Sequence, residues 1–164
     1  MSIPNPRIIN FCIFAFCVST IGIVLYMEHV LLLSPCGLCI SQRVFVIFCG
    51  FVCLVAAIHN PPATTRATYG YTAAAMCVFG SYFAGKQIWL QHLPADQVPA
   101  CGPGLSYIYE NFPLIESLNF LLIGDGNCAE VQFRFLGFSI PELAMVAFIG
   151  LFSICIYQAR RKDS

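Results

Sequence analysis

Long apolar runs joined by short polar stretches organise this chain. They cover about 8–27, 40–58, 68–90 and 140–158, interrupted only by isolated polar residues such as Asn10, Arg43 near the start of the second, and Lys86 near the end of the third. A helix needs about 20 mostly apolar residues to cross a hydrocarbon core of roughly 30 Å. The pattern therefore predicts an all-α membrane protein, a four-transmembrane-helix bundle forming one integral domain over 1–164. The fourth run opens with Ser139-Ile140-Pro141-Glu142, a capping box with proline at the first helical position. The first is too long for the core of a cleaved signal peptide and is expected to stay as a helix. Ala73, Ala74, Ala75, Gly80, Ala84 and Gly85 give the third run small side chains for close helix packing, and Ala144, Ala147 and Gly150 do so more weakly in the fourth. Lys86 is placed to snorkel to the interface.

Between the runs the polar positions are informative. Met1 to Arg7 is a short lead-in, and the joint around His59, Asn60, Pro61 and Pro62 is a tight turn in which His59 reads as a solvated residue. The segment 91–139 is too long for an idle connection. Turn formers surround Cys101. Leu114, Ile115, Leu118, Leu121 and Leu122 then recur at helical spacing, which predicts a short helix lying in the membrane interface or packed on the bundle top. A turn at Gly124, Asp125, Gly126 and Asn127 brings Cys128 back toward the membrane.

Composition agrees, with 59% hydrophobic and 10% charged residues. The net charge of zero is silent, but its distribution is not. Arg7, Arg66, Arg160, Arg161 and Lys162 fall on one side of a four-span topology, whereas Arg134 is the only basic residue between Gln91 and Ser139. The positive-inside rule puts both termini in the cytoplasm and the loops at about 28–39 and 91–139 outside. The expected surroundings are the lipid bilayer, and no nucleic-acid partner is expected.

The chain has ten cysteines. Cys12, Cys17, Cys49, Cys53, Cys77 and Cys155 lie within the spans, where a free thiol behaves as a small hydrophobe. Cys49 and Cys53 share a helix face, as a metal or redox pair would need, but nothing else ionisable lies at that depth and no metal site is assigned. Cys36, Cys39, Cys101 and Cys128 lie on the outward, oxidising side. Cys36 and Cys39 form a C-x-x-C at the start of the second span, with Arg43 one turn beyond Cys39. Helix dipole and guanidinium would both stabilise a thiolate at Cys39 or an anionic acceptor beside it. One compact pair and one pair on a flexible loop look like a relay.

Leu33-Ser34-Pro35-Cys36-Gly37-Leu38-Cys39 with Arg43, the four spans, the cysteine after the third span, and Cys128-Ala129-Glu130 followed by Phe135-Leu136-Gly137 and Pro141 together resemble the disulfide-bond formation protein B (DsbB) family. The resemblance covers nearly the whole chain. It implies a bacterial inner-membrane protein-disulfide:quinone oxidoreductase that reoxidises a periplasmic thioredoxin-fold dithiol oxidase (DsbA-like). Cys101 would take the mixed disulfide with that partner and Cys128 would pair with Cys101. Cys36 and Cys39 would reoxidise that pair and pass two electrons to ubiquinone or menaquinone, held beside Cys39 by Arg43, with His92 also linked to the quinone site. Resting Cys36–Cys39 and Cys101–Cys128 disulfides and an interloop Cys36–Cys128 bond during turnover both fit this scheme. Gln42 and Phe133 depart from the better-known members, which carry an acidic residue and a tryptophan there, and neither is expected to touch the electron path. Three other readings stand beside it: a vitamin K epoxide reductase-like quinone reductase, whose C-x-x-C comes late in the chain rather than first; a structural four-span protein whose loop disulfides brace it; and a zinc site made of the four outer cysteines.

Overall fold

The computed structural model describes residues 5–94, 96–99, 113, 122, 124, 126–131 and 133–161. Four long helices account for most of them: α1 (Pro6–His29), α2 (Gly37–His59), α3 (Ala63–Gln91) and α4 (Ile140–Arg160). A 3-10 turn, Gly126–Cys128, and a two-residue antiparallel hairpin, β1 (Arg134–Phe135) with β2 (Phe138–Ser139), lead into α4. The hairpin was not expected from the sequence. Its turn places Leu136 and Gly137 at positive φ, the left-handed region that glycine adopts without strain. The expected helix around 111–122 and the stretch bearing Cys101 lie outside the described residues.

Local chemistry sets the helix ends. Asn5 caps α1 by accepting from the Arg7 amide at 3.0 Å, with Pro6 opening the helix. The α4 start is the expected capping box: the Glu142 carboxylate accepts from the Ser139 backbone N–H at 2.6 Å and from its hydroxyl at 2.9 Å. Asn60, in the left-handed conformation with φ 45°, ends α2. Here His59 lies 3.1 Å from the Tyr69 hydroxyl, so it is tied to α3 and not simply solvated.

Helices α1, α2 and α4 are long and apolar enough to cross a membrane. Phe11 and Ile23 on α1, Phe51 on α2, and Val146 and Ile149 on α4 present large apolar side chains outward, as a lipid-facing surface requires. α3 is the longest at 29 residues but less apolar. The reason is packing: it lies between α2 and α4, and its buried stripe of Gly70, Ala73, Ala74, Cys77, Gly80 and Ala84 gives close approach rather than hydrophobicity. A Cβ added to Gly80 would lie 2.3 Å from the buried ring of Phe148 on α4.

Successive packing of α1 on α2, α2 on α3 and α3 on α4 makes the bundle. Its main core gathers Ile13, Ala73, Ala74, Phe148 and Leu151 around five of the membrane cysteines, Cys17, Cys49, Cys53, Cys77 and Cys155, while Cys12 is exposed on the outer surface. A second cluster, Cys36, Leu38, Phe83, Leu90 and Cys128, sits at the end of the bundle that carries the α1–α2 loop. Phe45 packs against both clusters and stacks on Phe79 and Phe83. At the opposite end Gln158 Nε2 donates to Asn10 Oδ1 at 2.6 Å, closing α4 on α1.

Gly80→Val is expected to destabilise the bundle by about 1–3 kcal/mol through overpacking against Phe148. Thermal unfolding in detergent, with Gly22→Val as a control where a side chain meets open space, measures it.

Candidate active site

The α1–α2 joint ends at Cys36, whose extended backbone (φ −86°, ψ 169°) makes it the N-cap of α2 and puts Cys39 in the first turn. That turn brings the two sulfurs to 3.1 Å. Both lie at the positive end of the helix dipole, where a sulfur anion is favoured.

Across the interface with α3, Gln87 is 4% exposed and its Nε2 points at both sulfurs, 3.2 Å from Cys39 Sγ and 3.5 Å from Cys36 Sγ. Its orientation is set by Gln42, whose Nε2 donates to Gln87 Oε1 at 2.8 Å. The same oxygen also lies 3.5 Å from Cys39 Sγ, so both ends of the amide reach that sulfur. Neither glutamine was assigned to the site from the sequence. Gln42 makes no direct contact with the thiols, as expected, but it reaches them through a single intervening side chain. Phe133 lines a small cavity together with Cys36, Cys39 and Gln87.

Cys128 is wholly buried in the second core cluster against Cys36. The hydrogen bond with the Cys128 thiol, then that with Cys39, then burial push the Cys36 thiol up from its ordinary range. A glycine makes the approach possible. Gly124 has φ +75°, and a Cβ there would lie 2.8 Å from Leu38 Cδ1. Lys86 Nζ donates to the Leu122 carbonyl at 3.0 Å, so this lysine ties down the returning segment.

Cys39 also faces the other way. An open groove of about 850 Å³ runs between α1 and α4 over α2, with Phe16, Val24, Val46 and Leu151 among its apolar walls and Cys39, Gln42, Arg43 and Glu28 at its polar end. Arg43 Nη1 is ion-paired with the Glu28 carboxylate at the end of α1. Glu28 and Arg43 are the only Asp, Glu, Lys or Arg residues between Arg7 and Arg66. That isolation is the signal from which their pairing could have been expected.

The structure thus brings together Cys36, Cys39, Cys128 and Arg43. Cys101 lies outside the described residues. His92 is exposed at the end of α3 with Nδ1–H donating to the Ile88 carbonyl at 2.8 Å, and it is not among the groove-lining residues.

Three sulfurs within reach of one another, amide donors aimed at two of them and an apolar groove opening beside one are suited to passing electron pairs between sulfur atoms. In a bundle with a lipid-facing surface they define a membrane thiol–disulfide oxidoreductase. Comparison with known proteins gives the family: residues 6–158 match the model described as Disulfide bond formation protein DsbB, and the chain belongs to that family. Relatives called Disulfide bond formation protein B include one from Saccharophagus degradans, 50% identical over 98% of this chain and 96% of its own length. Those from Stutzerimonas stutzeri (45% identical; 99% and 100% covered) and Hahella chejuensis (46%; 90% and 90%) are also similar.

Gln87→Leu removes the donor to Cys39 and is expected to slow alkylation of that thiol by an apolar maleimide about tenfold or more at neutral pH. Gln42→Ala, which only releases Gln87, is expected to have a smaller effect. Mass spectrometry of the reduced protein over time checks both. Gly124→Ala is expected to pull Cys128 away from Cys36, seen as faster alkylation of Cys128.

Proposed function

We propose that this protein reoxidises a periplasmic thioredoxin-fold (DsbA-like) dithiol and delivers the electrons to a membrane quinone, ubiquinone or menaquinone, in the bacterial inner membrane. The observation that carries this reading is that the two thiols of the C-x-x-C face different partners. Cys36 touches Cys128 of the long segment, while Cys39 lines the apolar groove beside Arg43.

In this reading the partner's thiolate attacks Cys101 of a Cys101–Cys128 disulfide, and the partner's second thiol resolves the mixed disulfide. The reduced loop pair then passes its electrons to a Cys36–Cys39 disulfide. Contact between Cys128 and Cys36 supports an interloop Cys36–Cys128 bond as the exchange intermediate, which leaves Cys39 as the free sulfur. The Gln87 amide and the helix start stabilise negative charge on Cys39 at that moment.

The groove fits a quinone. Its apolar walls suit a ring with an isoprenoid tail, and Arg43 and Gln42 would hold the ring oxygens at the polar end. A bound quinone supplies a two-electron, two-proton acceptor. Glu28 holds the Arg43 guanidinium at the groove mouth. His92 keeps a second-rank place in the proposal, since its ring is engaged with its own helix.

α3 is the proposed third of four spans: its length suffices, and burial between neighbours explains its lower hydropathy. Arg7, Arg66 and Arg160 then lie at the cytoplasmic end with both termini, and the cysteine loops are periplasmic.

The purified full chain is expected to reduce a soluble quinone only when given a reduced thioredoxin-fold dithiol, read from quinone absorbance. Cys36→Ser and Cys39→Ser are each expected to abolish turnover; quinone reduction that survives either substitution excludes the relay, and absence of any quinone signal favours disulfides that merely brace the loops. Cys128→Ala is expected to trap the partner on Cys101 as a mixed disulfide on non-reducing gels.

A further inference from the structure

The five cysteines of the main core belong to one buried cluster: Cys49 and Cys53 on α2, Cys155 on α4, Cys17 on α1 and Cys77 on α3. Cys49 and Cys77 sulfurs are 3.7 Å apart, and the sulfurs of Cys49, Cys77 and Cys155 all lie within 4.8 Å of one another. All three residues are buried. Every helix of the bundle contributes, so the convergence is a product of the tertiary fold and not of one helix repeat.

Packing alone does not account for the surroundings. A small cavity on the side of the chain termini is lined by Cys53 and Cys155 together with Asn10, Arg66 and Gln158. Gln158 is 2% exposed, and its Oε1 has no hydrogen-bond partner among the described residues although its Nε2 is engaged with Asn10. A buried acceptor with nothing to accept is costly and calls for a further group in that cavity. Arg66, also buried, brings a fixed positive charge to the same cavity and donates to the Arg161 carbonyl at 2.9 Å.

We propose that the Cys49, Cys77 and Cys155 thiols form an intramembrane site for a single soft monovalent cation, Cu(I). The donor set is sulfur throughout, which selects a thiophilic ion over calcium, magnesium or manganese. Metal–thiolate bonds of about 2.3 Å set the sulfurs on one ion about 4 Å apart, close to the spacing seen, which runs from 3.7 Å to no more than 4.8 Å. Ligand number decides between soft ions: three sulfurs complete a shell for Cu(I), whereas structural Zn(II) sites take four ligands. Cu(I) held by two thiolates and one thiol leaves a single negative charge in the core. Cys17 and Cys53 flank the three as further sulfurs, and the Asn10–Gln158–Arg66 cavity is the polar way in from the terminal end. Binding replaces two thiol protons by the ion, so uptake releases protons.

The test uses the full chain in detergent with Cys36, Cys39, Cys101 and Cys128 all replaced by serine, so that only membrane cysteines remain. Under anaerobic conditions this protein is titrated with Cu(I) against a chromophoric Cu(I) chelator, and bound ion, released protons and the X-ray absorption edge are measured. The expected result is one Cu(I) per chain in an all-sulfur shell, with affinity lowered at least a hundredfold by Cys49→Ser, by Cys77→Ser and by Cys155→Ser. Cys12→Ser, on the outer surface, is expected to change nothing. Helical circular dichroism accompanies each variant, and the three separate serine variants guard against one that misfolds. Retention of full affinity by any two of the three, oxygen or nitrogen in the metal shell, or displacement of Cu(I) by equimolar Zn(II) overturns the proposal.

Discussion

One carboxamide holds the reactive end of this molecule together. Gln87 sends a single amide nitrogen to two sulfurs from inside an apolar bundle, where an unsatisfied polar group costs several kcal/mol and a bare sulfur anion more. For that reach to exist, α3 must lie close against α2, and it must be pinned from its other side by α4. The stripe of glycine and alanine along α3 meets both demands, so the least hydrophobic helix governs the most chemically sensitive contact. Gln42 completes the arrangement by occupying the Gln87 oxygen. Gln87 Oε1 lies 3.5 Å from Cys39 Sγ, where it accepts from the protonated thiol, so the same amide suits either protonation state.

The C-x-x-C is a junction between two environments. Cys36 belongs to a buried cluster completed by the segment that returns to the membrane at Gly124, and Cys39 belongs to the wall of a lipid-side groove. Three residues of sequence separate the two surroundings. The helix start is what makes so short a separation sufficient, because Cys36 stands outside the helix as its extended N-cap while Cys39 lies in the first turn with its sulfur still in contact.

Much of this was legible in the sequence. The positions of the four long helices came from apolar run length, and the α4 start from a capping box whose hydrogen bonds are present. Cys36, Cys39 and Arg43 announced themselves by spacing. What escaped was set by tertiary contact. Gln87 sits in an alanine-rich helix at no recognisable spacing from any cysteine, and its meaning arises only when α3 crosses α2. Gln42 looked like a departure without direct contact to the electron path, and its hold on Gln87 escaped for the same reason. The hairpin before α4 is too short for strand periodicity to register. Five scattered membrane cysteines read as small hydrophobes one by one, which describes their burial but not their convergence.

The unequal closure of α1 on α4 has a consequence for how a ligand arrives. These helices are tied together by Gln158 and Asn10 at one end and stand apart around the groove at the other. Under the proposed function, an acceptor dissolved in the bilayer would reach Cys39 sideways, without passing through water. Its encounter with the protein is then a search in two dimensions, governed by its mole fraction among the lipids and by membrane fluidity. Anything that changes lipid order would alter the supply to the groove while leaving the soluble side of the protein untouched.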